Sequence, residues 1–220
     1  MQIMLNMPKL YLLGGENVFK QTAKEVNESA FREAERPLVV VVFAWARASF
    51  DRDHRKRANL IDYFTSLGAS TVEFIEYSYP RELIAKKIAS SNLIYLTGGL
   101  VTALVERLKR MGVDELLRSY SGVIVGRSAG ALVLCKKCVI TNRHSKAVSV
   151  IDGLALTDFT LKAHYKPQND ATLILLSKQQ PIYAVPARSA LVYGNGKLSV
   201  INKAYLFDKG EKQELSSGNL

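Results

Sequence analysis

Five short aliphatic-rich runs, Lys9–Leu13, Leu38–Phe43, Thr71–Ile75, Asn92–Leu96 and Gly122–Val125, are separated by stretches whose apolar residues recur every three or four positions. An apolar run of four to six residues fits a strand buried on both faces, and the intervening spacing is that of an amphipathic helix. Phe19–Glu35 is the first such helix, with Phe19, Ala23, Val26, Ala30 and Ala34 on one stripe and Pro37 beyond its end. Asp51–Leu67 is the second, with Leu60, Ile61, Phe64 and Leu67 on one face and Gly68 as its stop signal. Pro80 opens a third that runs to about Ala89, and Thr102–Met111, Val113–Tyr120 and Ala129–Cys135 complete the set. Strands and helices in this alternation wind into an α/β fold, a mostly parallel sheet with helices on both faces.

The pattern changes after about Val139. Val148–Ile151, Phe159–Ala163, Ile182–Val185, Ala190–Tyr193, Lys197–Ile201 and Ala204–Phe207 read as short strands, and Asn195-Gly196 marks a hairpin between two of them. One helix is expected at Asn169–Lys178, and the polar tail after Asp208 is expected to fray. No Pro/Gly/Ser-rich linker divides the chain, so residues 1–220 read as one domain. A hydrophobic fraction of 48% suffices for a sizeable core. No apolar run reaches the roughly 18 residues that would cross a bilayer. Pro8, Gly14 and Gly15 interrupt the first apolar stretch and no basic segment precedes it, so a cytoplasmic protein is expected.

The formal charge of +10 suits an acidic partner. The cations are spread along the chain apart from a denser patch, Arg47, Arg52, Arg55, Lys56 and Arg57, without interleaved aromatics or a nucleic-acid-binding motif. A solvated basic helix face is the expectation there. Cys135 and Cys138 form a lone C-x-x-C, and His54, His144 and His164 are scattered, so a zinc site lacks its other two ligands. Two reduced cysteines beside a core helix, with no metal or other cofactor, are expected.

The chemistry concentrates on Gly126-Arg127-Ser128-Ala129-Gly130, which follows an apolar strand directly and opens a helix. A serine at the apex of such a turn is held in a strained, exposed backbone conformation, with small neighbours that let the turn close. The helix also aims its first N–H groups at the site, where negative charge can be stabilised. Gly98-Gly99 ends the preceding strand and could aim a second N–H, pairing with that of Ala129 as an oxyanion hole; a plain strand-exit turn is the alternative. A serine needs a base, and His164 follows an apolar strand whose end would face the same crevice.

Taken in order, Leu10 to Gly15, Ile94 to Gly99, Gly126 to Ala131, Gly153 to Leu156 and the strand into His164 give the chain its family likeness. Over nearly its whole length it resembles the dipeptidase E and cyanophycinase family of serine peptidases. The resemblance implies a three-layer α/β/α sandwich related to class I glutamine amidotransferases, with serine in place of cysteine. It implies Ser128 as nucleophile, His164 as base, and Gly99 with Ala129 as oxyanion hole. Family members cut aspartyl dipeptides or aspartate–arginine polymers.

The departures from the family pattern share a direction. The usual Gly-Gly-Asn reads Gly98-Gly99-Leu100, the acidic triad position falls on Arg143 beside His144, and Lys162 and Pro186-Ala187-Arg188 replace acidic elements. A cation in place of the triad acid would depress the basicity of the histidine. Asp158 and Asp152 are the remaining acids upstream of His164, and a Ser128–His164 dyad is equally open. One reading is an active peptidase in which Gly98, Arg127, Arg143, Lys162 and Arg188 bind a small acidic peptide. Another is a weak or inactive relative that binds an anionic ligand or a protein. An ordinary esterase fits the Gly-x-Ser-x-Gly run but not the Gly-Gly turn. Neither membrane nor nucleic acid is an expected partner, and a homodimer is the assembly to test.

Overall fold

The computed structural model describes residues 7–47, 54–142 and 147–216. Its first part is β1 (Lys9–Leu13), α1 (Lys24–Glu33), β2 (Val39–Phe43), α2 (His54–Ser66), β3 (Thr71–Phe74), α3 (Arg81–Ala89), β4 (Leu93–Leu96), α4 (Val101–Arg110), α5 (Val113–Arg118), β5 (Val123–Arg127) and α6 (Ala129–Leu134). The remainder is β6 (Lys137–Thr141), β7 (Val148–Asp152), β8 (Thr160–Ala163), α7 (Asp170–Ser177), β9 (Ile182–Val185), β10 (Ala190–Gly194), β11 (Lys197–Ile201), β12 (Lys203–Asp208) and β13 (Glu211–Ser216).

The central sheet has the order β11-β10-β1-β5-β4-β2-β3, with the five strands from β1 to β3 parallel and β10 and β11 antiparallel at one edge. The α/β/α expectation holds. Strand alternation separates two cores. Tyr11, Leu13, Val40, Val42, Tyr95 and Val125 face α1 and α2, while Leu10, Leu12, Val41, Phe43, Leu96 and Ile124 face α3 to α6. Both sets are buried because helices cover both faces of a parallel sheet.

A second sheet, β13-β12-β9-β8-β6-β7, packs on the α6 side, and Leu161 and Ala163 of β8 belong to the same core as α6. Its far face is closed by α7 through Leu173, with Val139, Ile182, Ala184 and Phe207. Two of these strands were not expected from sequence. β6 follows α6 with no glycine or proline between them, and β13 is a mostly exposed strand with only Leu215 buried. Up to Ser216 the tail is therefore paired in a strand, where fraying after Asp208 was expected. Lys209 and Gly210 both take positive φ, 50° and 87°, and close a two-residue hairpin that pairs Asp208 with Glu211. Asn195-Gly196 does the same between β10 and β11, as its sequence indicates.

The first helix is shorter than its periodicity suggests. Asn17 caps a single 3₁₀ turn at Val18–Lys20, Gln21 takes φ 47°, and α1 begins only at Lys24, which leaves Phe19 exposed. In the basic patch, Arg57 pairs with Glu76 and lies over the Phe74 ring at 4.8 Å, so part of that charge is used in packing. Arg52 lies outside the described residues.

Candidate active site

The C-terminal ends of β1, β4 and β5 meet at the Ser128 turn. Ser128 has φ 56°, a left-handed value that a non-glycine residue adopts at a cost, and its N–H donates to Leu13 O at 2.9 Å. The turn closes because α6 lies directly on the sheet. A Cβ on Gly130 would meet Leu96 O at 2.2 Å, and one on Gly126 would meet the Gly130 carbonyl carbon at 2.5 Å. Both flanking glycines are therefore fixed by backbone approach as much as by chemistry.

His164 follows β8 and is exposed, with its Nε2 2.7 Å from Ser128 Oγ. Three features hold it there. It takes φ 52°, which turns the ring out of the strand alternation, and its N–H donates to Gly14 O at 2.8 Å. Its ring lies against the Gly15 backbone, so a Cβ on Gly15 would come within 2.3 Å of Cε1. Gly15 is thus a site residue whose role sequence reasoning missed; only the Gly14-Gly15 step at a strand end hinted at it. Gly98 packs on the serine side chain, where a Cβ would stand 3.2 Å from Ser128 Cβ. Gly99 follows it in the same turn. Ala129 is the first residue of α6, so its N–H has no acceptor within the helix.

The expected cations and acids do not all gather at the serine. Arg127 precedes Ser128 and turns toward the α1/α2 face, as Val125 and Val123 do. Arg188 is exposed at the same edge, tied there by its N–H to Gly15 O at 2.9 Å. Arg143 and His144 lie outside the described residues. Lys162 does not join the site. It sits on the opposite face of β8 from Leu161 and Ala163, level with Ala184 beneath the α7 layer, and burial pushes its ammonium pKa down.

The two candidate triad acids are also elsewhere. Asp158 is exposed before β8 starts, whereas His164 follows its end; four strand residues at about 3.3 Å each put roughly 13 Å between them. Asp152 is on edge strand β7, 75% exposed, with its Oδ1 2.9 Å from Lys137 Nζ, level with the start of β8. That hydrogen bond holds its carboxyl below the usual range. The cysteines are free and buried, with Cys135 donating to Ala131 O and Cys138 to Leu132 O. Burial drives both thiol pKa values up, that of Cys138 to about 12.

Beside Arg127 opens a cavity of about 260 Å³ on the α1/α2 side of the strand ends. A larger one of about 560 Å³ lies at the other end of the sheet, around Lys9, Glu33, Asn92 and Gly122, far from the serine–histidine pair. Ligands of open α/β sheets bind beyond the carboxyl ends of the strands, which favours the smaller cavity as the functional one. Among the described residues no group of three His, Cys, Asp or Glu is arranged to hold a metal ion, and no helix is long and apolar enough to cross a membrane.

A serine on a strained strand-to-helix turn, hydrogen-bonded to a histidine across an α/β/α sheet, defines a hydrolase-like architecture. The sequence profile of peptidase family S51, the dipeptidase E family, matches residues 14–201, and the chain belongs to that family. An uncharacterized peptidase of Listeria monocytogenes is 32% identical over 90 residues, 37% of this chain and 44% of that protein. One from Listeria innocua is 28% identical over 107 residues, 45% of this chain and 51% of that protein. The chain thus spans about half the length of the curated relatives it matches. A crystal structure of a peptidase from an acI-B1 Actinobacterium shares the fold, with TM-score 0.71 and 18% identity over 97% of this chain and 96% of that one. A putative peptidase E protein from Listeria monocytogenes EGD-e superposes with TM-score 0.65 and 25% identity, covering 89% and 98%.

Proposed function

We propose that this chain is a serine peptidase that hydrolyses short, acidic peptides, with Ser128 as nucleophile and His164 as general base. The 2.7 Å contact between Ser128 Oγ and His164 Nε2 carries the reading. With the imidazole protonated on Nδ1, the hydroxyl donates to Nε2 and gives up its proton as Oγ attacks the substrate carbonyl. The N–H groups of Gly99 and Ala129 take the developing oxyanion, and His164 returns the proton to the departing amine. Water then repeats the sequence on the acyl-enzyme. Arg127 and Arg188 supply positive charge at the mouth, which favours an acidic substrate.

The distance of Asp152 and Asp158 from His164 favours a second reading, a weak or inactive relative that binds an anionic ligand. Hydrolysis of a panel of Asp-X, Glu-X and neutral dipeptides separates the two. The peptidase reading expects acidic substrates to be preferred and Ser128→Ala and His164→Ala each to lower kcat by up to about a million-fold. No turnover of any member by the intact protein would leave the binding role.

A further inference from the structure

The residue after His164 is tied into a charged aromatic cluster that takes no part in the steps at Ser128. Tyr165, 4% exposed, donates its hydroxyl to Asp170 Oδ1 at 2.6 Å. The other carboxylate oxygen, Oδ2, accepts from Lys212 Nζ at 2.8 Å. The same ammonium stands over three rings, 4.6 Å from the Tyr205 centroid, 5.3 Å from that of Tyr165 and 5.8 Å from that of Phe207. Tyr165 also packs on Tyr205, with centroids 4.7 Å apart, and on Phe207 at 6.0 Å. Tyr165 follows β8, Asp170 opens α7, Tyr205 and Phe207 come from β12, and Lys212 comes from β13.

The members of the cluster reinforce one another. Burial and the Asp170 hydrogen bond keep the Tyr165 hydroxyl protonated, so it stays a donor. Burial alone would raise the Asp170 pKa, but the hydrogen bonds from Lys212 and Tyr165 outweigh it and keep the carboxylate charged. Hydrogen bonds to an ionised acceptor are stronger than neutral ones, and an ammonium over ring faces adds attraction of its own.

What the cluster grips is the peptide next to the imidazole. His164 takes φ 52°, which a non-glycine residue keeps only where its surroundings over-determine it. On one side, its N–H donates to Gly14 O at 2.8 Å. On the other, the Tyr165 N–H donates to Val185 O at 3.1 Å and the Tyr165 side chain is locked into the cluster. The chain then turns back at once, with the Lys166 N–H donating to Asn169 Oδ1 at 3.0 Å, and reaches Asp170. Without that grip His164 could relax to negative φ, which would swing the ring away from Ser128.

We infer that Tyr165, Asp170 and Lys212 are positioning residues for His164, holding the His164–Tyr165 peptide in the conformation that lays the imidazole on Ser128. The C-terminal hairpin of β12 and β13 is thereby a support of the site. The three act through the backbone and not on the reacting atoms. For its kinetic consequence the inference rests on the peptidase reading of Ser128.

The test is a coupling measurement in the intact chain by nitrogen-15 NMR of the histidine rings, with the His164 signals assigned by their loss in His164→Ala. Because Ser128 Oγ lies 2.7 Å from the ring, Ser128→Ala is expected to displace those signals in the otherwise wild-type protein. The displacement should shrink in the Tyr165→Phe and Lys212→Met backgrounds and return in Lys212→Arg, which keeps the charge. Tyr165→Phe retains the ring stack, so it tests the hydroxyl even if Lys212→Met loosens the hairpin. Equal displacement in every background would overturn the inference, as would none in the wild type.

Kinetics supply the second arm. Misplacing the imidazole by about 1 Å should lower kcat about a hundredfold in Tyr165→Phe and Lys212→Met, with KM for an acidic dipeptide unchanged and kcat largely recovered in Lys212→Arg. A rise in KM at constant kcat would place these residues in substrate binding and overturn the positioning role. A wild type that hydrolyses nothing, yet shows the coupling and loses it in the variants, would remove the peptidase reading and keep the positioning cluster.

Discussion

The chemistry of this chain turns on backbone approach at single residues. His164 is held by a ring contact with Gly15 that leaves no room for a methyl group. Gly15→Ala should displace the imidazole while leaving the buried cores intact. Misplacing a catalytic group by about 1 Å can lower the rate about a hundredfold. Steady-state kinetics should therefore show kcat/KM reduced by about that factor or more, with an unchanged far-ultraviolet circular dichroism spectrum; near-normal activity would mean the cradle is not needed. Cys135 and Cys138 give the opposite expectation. Their thiols are fully buried and their pKa values are raised, so a thiol reagent at neutral pH should label neither until the protein unfolds. Rapid labelling of the native protein would contradict the packing around α6.

At the level of elements, the parallel strands and the serine turn were legible because they are local. An apolar run such as Val39–Phe43 and the Gly-x-Ser-x-Gly spacing carry their own instructions, and Asn195-Gly196 dictates its hairpin. What was not legible depends on distant partners. β13 is polar along most of its length and exists because β12 offers an edge, and β6 lacks a turn signal at its start. The triad acids failed for a related reason. Closeness along the chain to His164 says little when a whole strand stands between Asp158 and the imidazole. If β13 is an integral strand, Leu215, 2% exposed in the main core, matters to stability. Leu215→Ala should cost about 2–4 kcal/mol in denaturant unfolding. A change within about 0.5 kcal/mol would indicate a loosely attached tail.

Across the whole molecule, the +10 charge and the cations near the serine should act together on an acidic substrate. Screening shortens the range of such attraction to about 8 Å at physiological ionic strength, so kcat/KM for an acidic dipeptide should fall as salt is raised while that for a neutral one stays nearly flat. Identical salt profiles would remove the steering role. Stability has its own pH signature. Burial would raise the carboxyl pKa of Asp170, but hydrogen bonds from Lys212 and Tyr165 outweigh it, and the Lys137 hydrogen bond lowers that of Asp152. A carboxylate with a depressed folded-state pKa stabilises the fold above its unfolded value, near 3.9, and that contribution is lost as pH falls through the folded value. Thermal melts should therefore drop below about pH 4, and Asp170→Asn should make that fall shallower. An unchanged acid limb in the variant would show that the Asp170–Lys212 pair contributes nothing.

If the 2.7 Å contact with His164 activates Ser128, the serine should react as a nucleophile. Intact-mass spectrometry of the wild-type chain after exposure to a fluorophosphonate measures this directly, with peptide mapping to locate the adduct. A single adduct on Ser128 is expected, absent from Ser128→Ala and strongly slowed in His164→Ala. An unlabelled wild type, or an adduct that persists in Ser128→Ala, would contradict it.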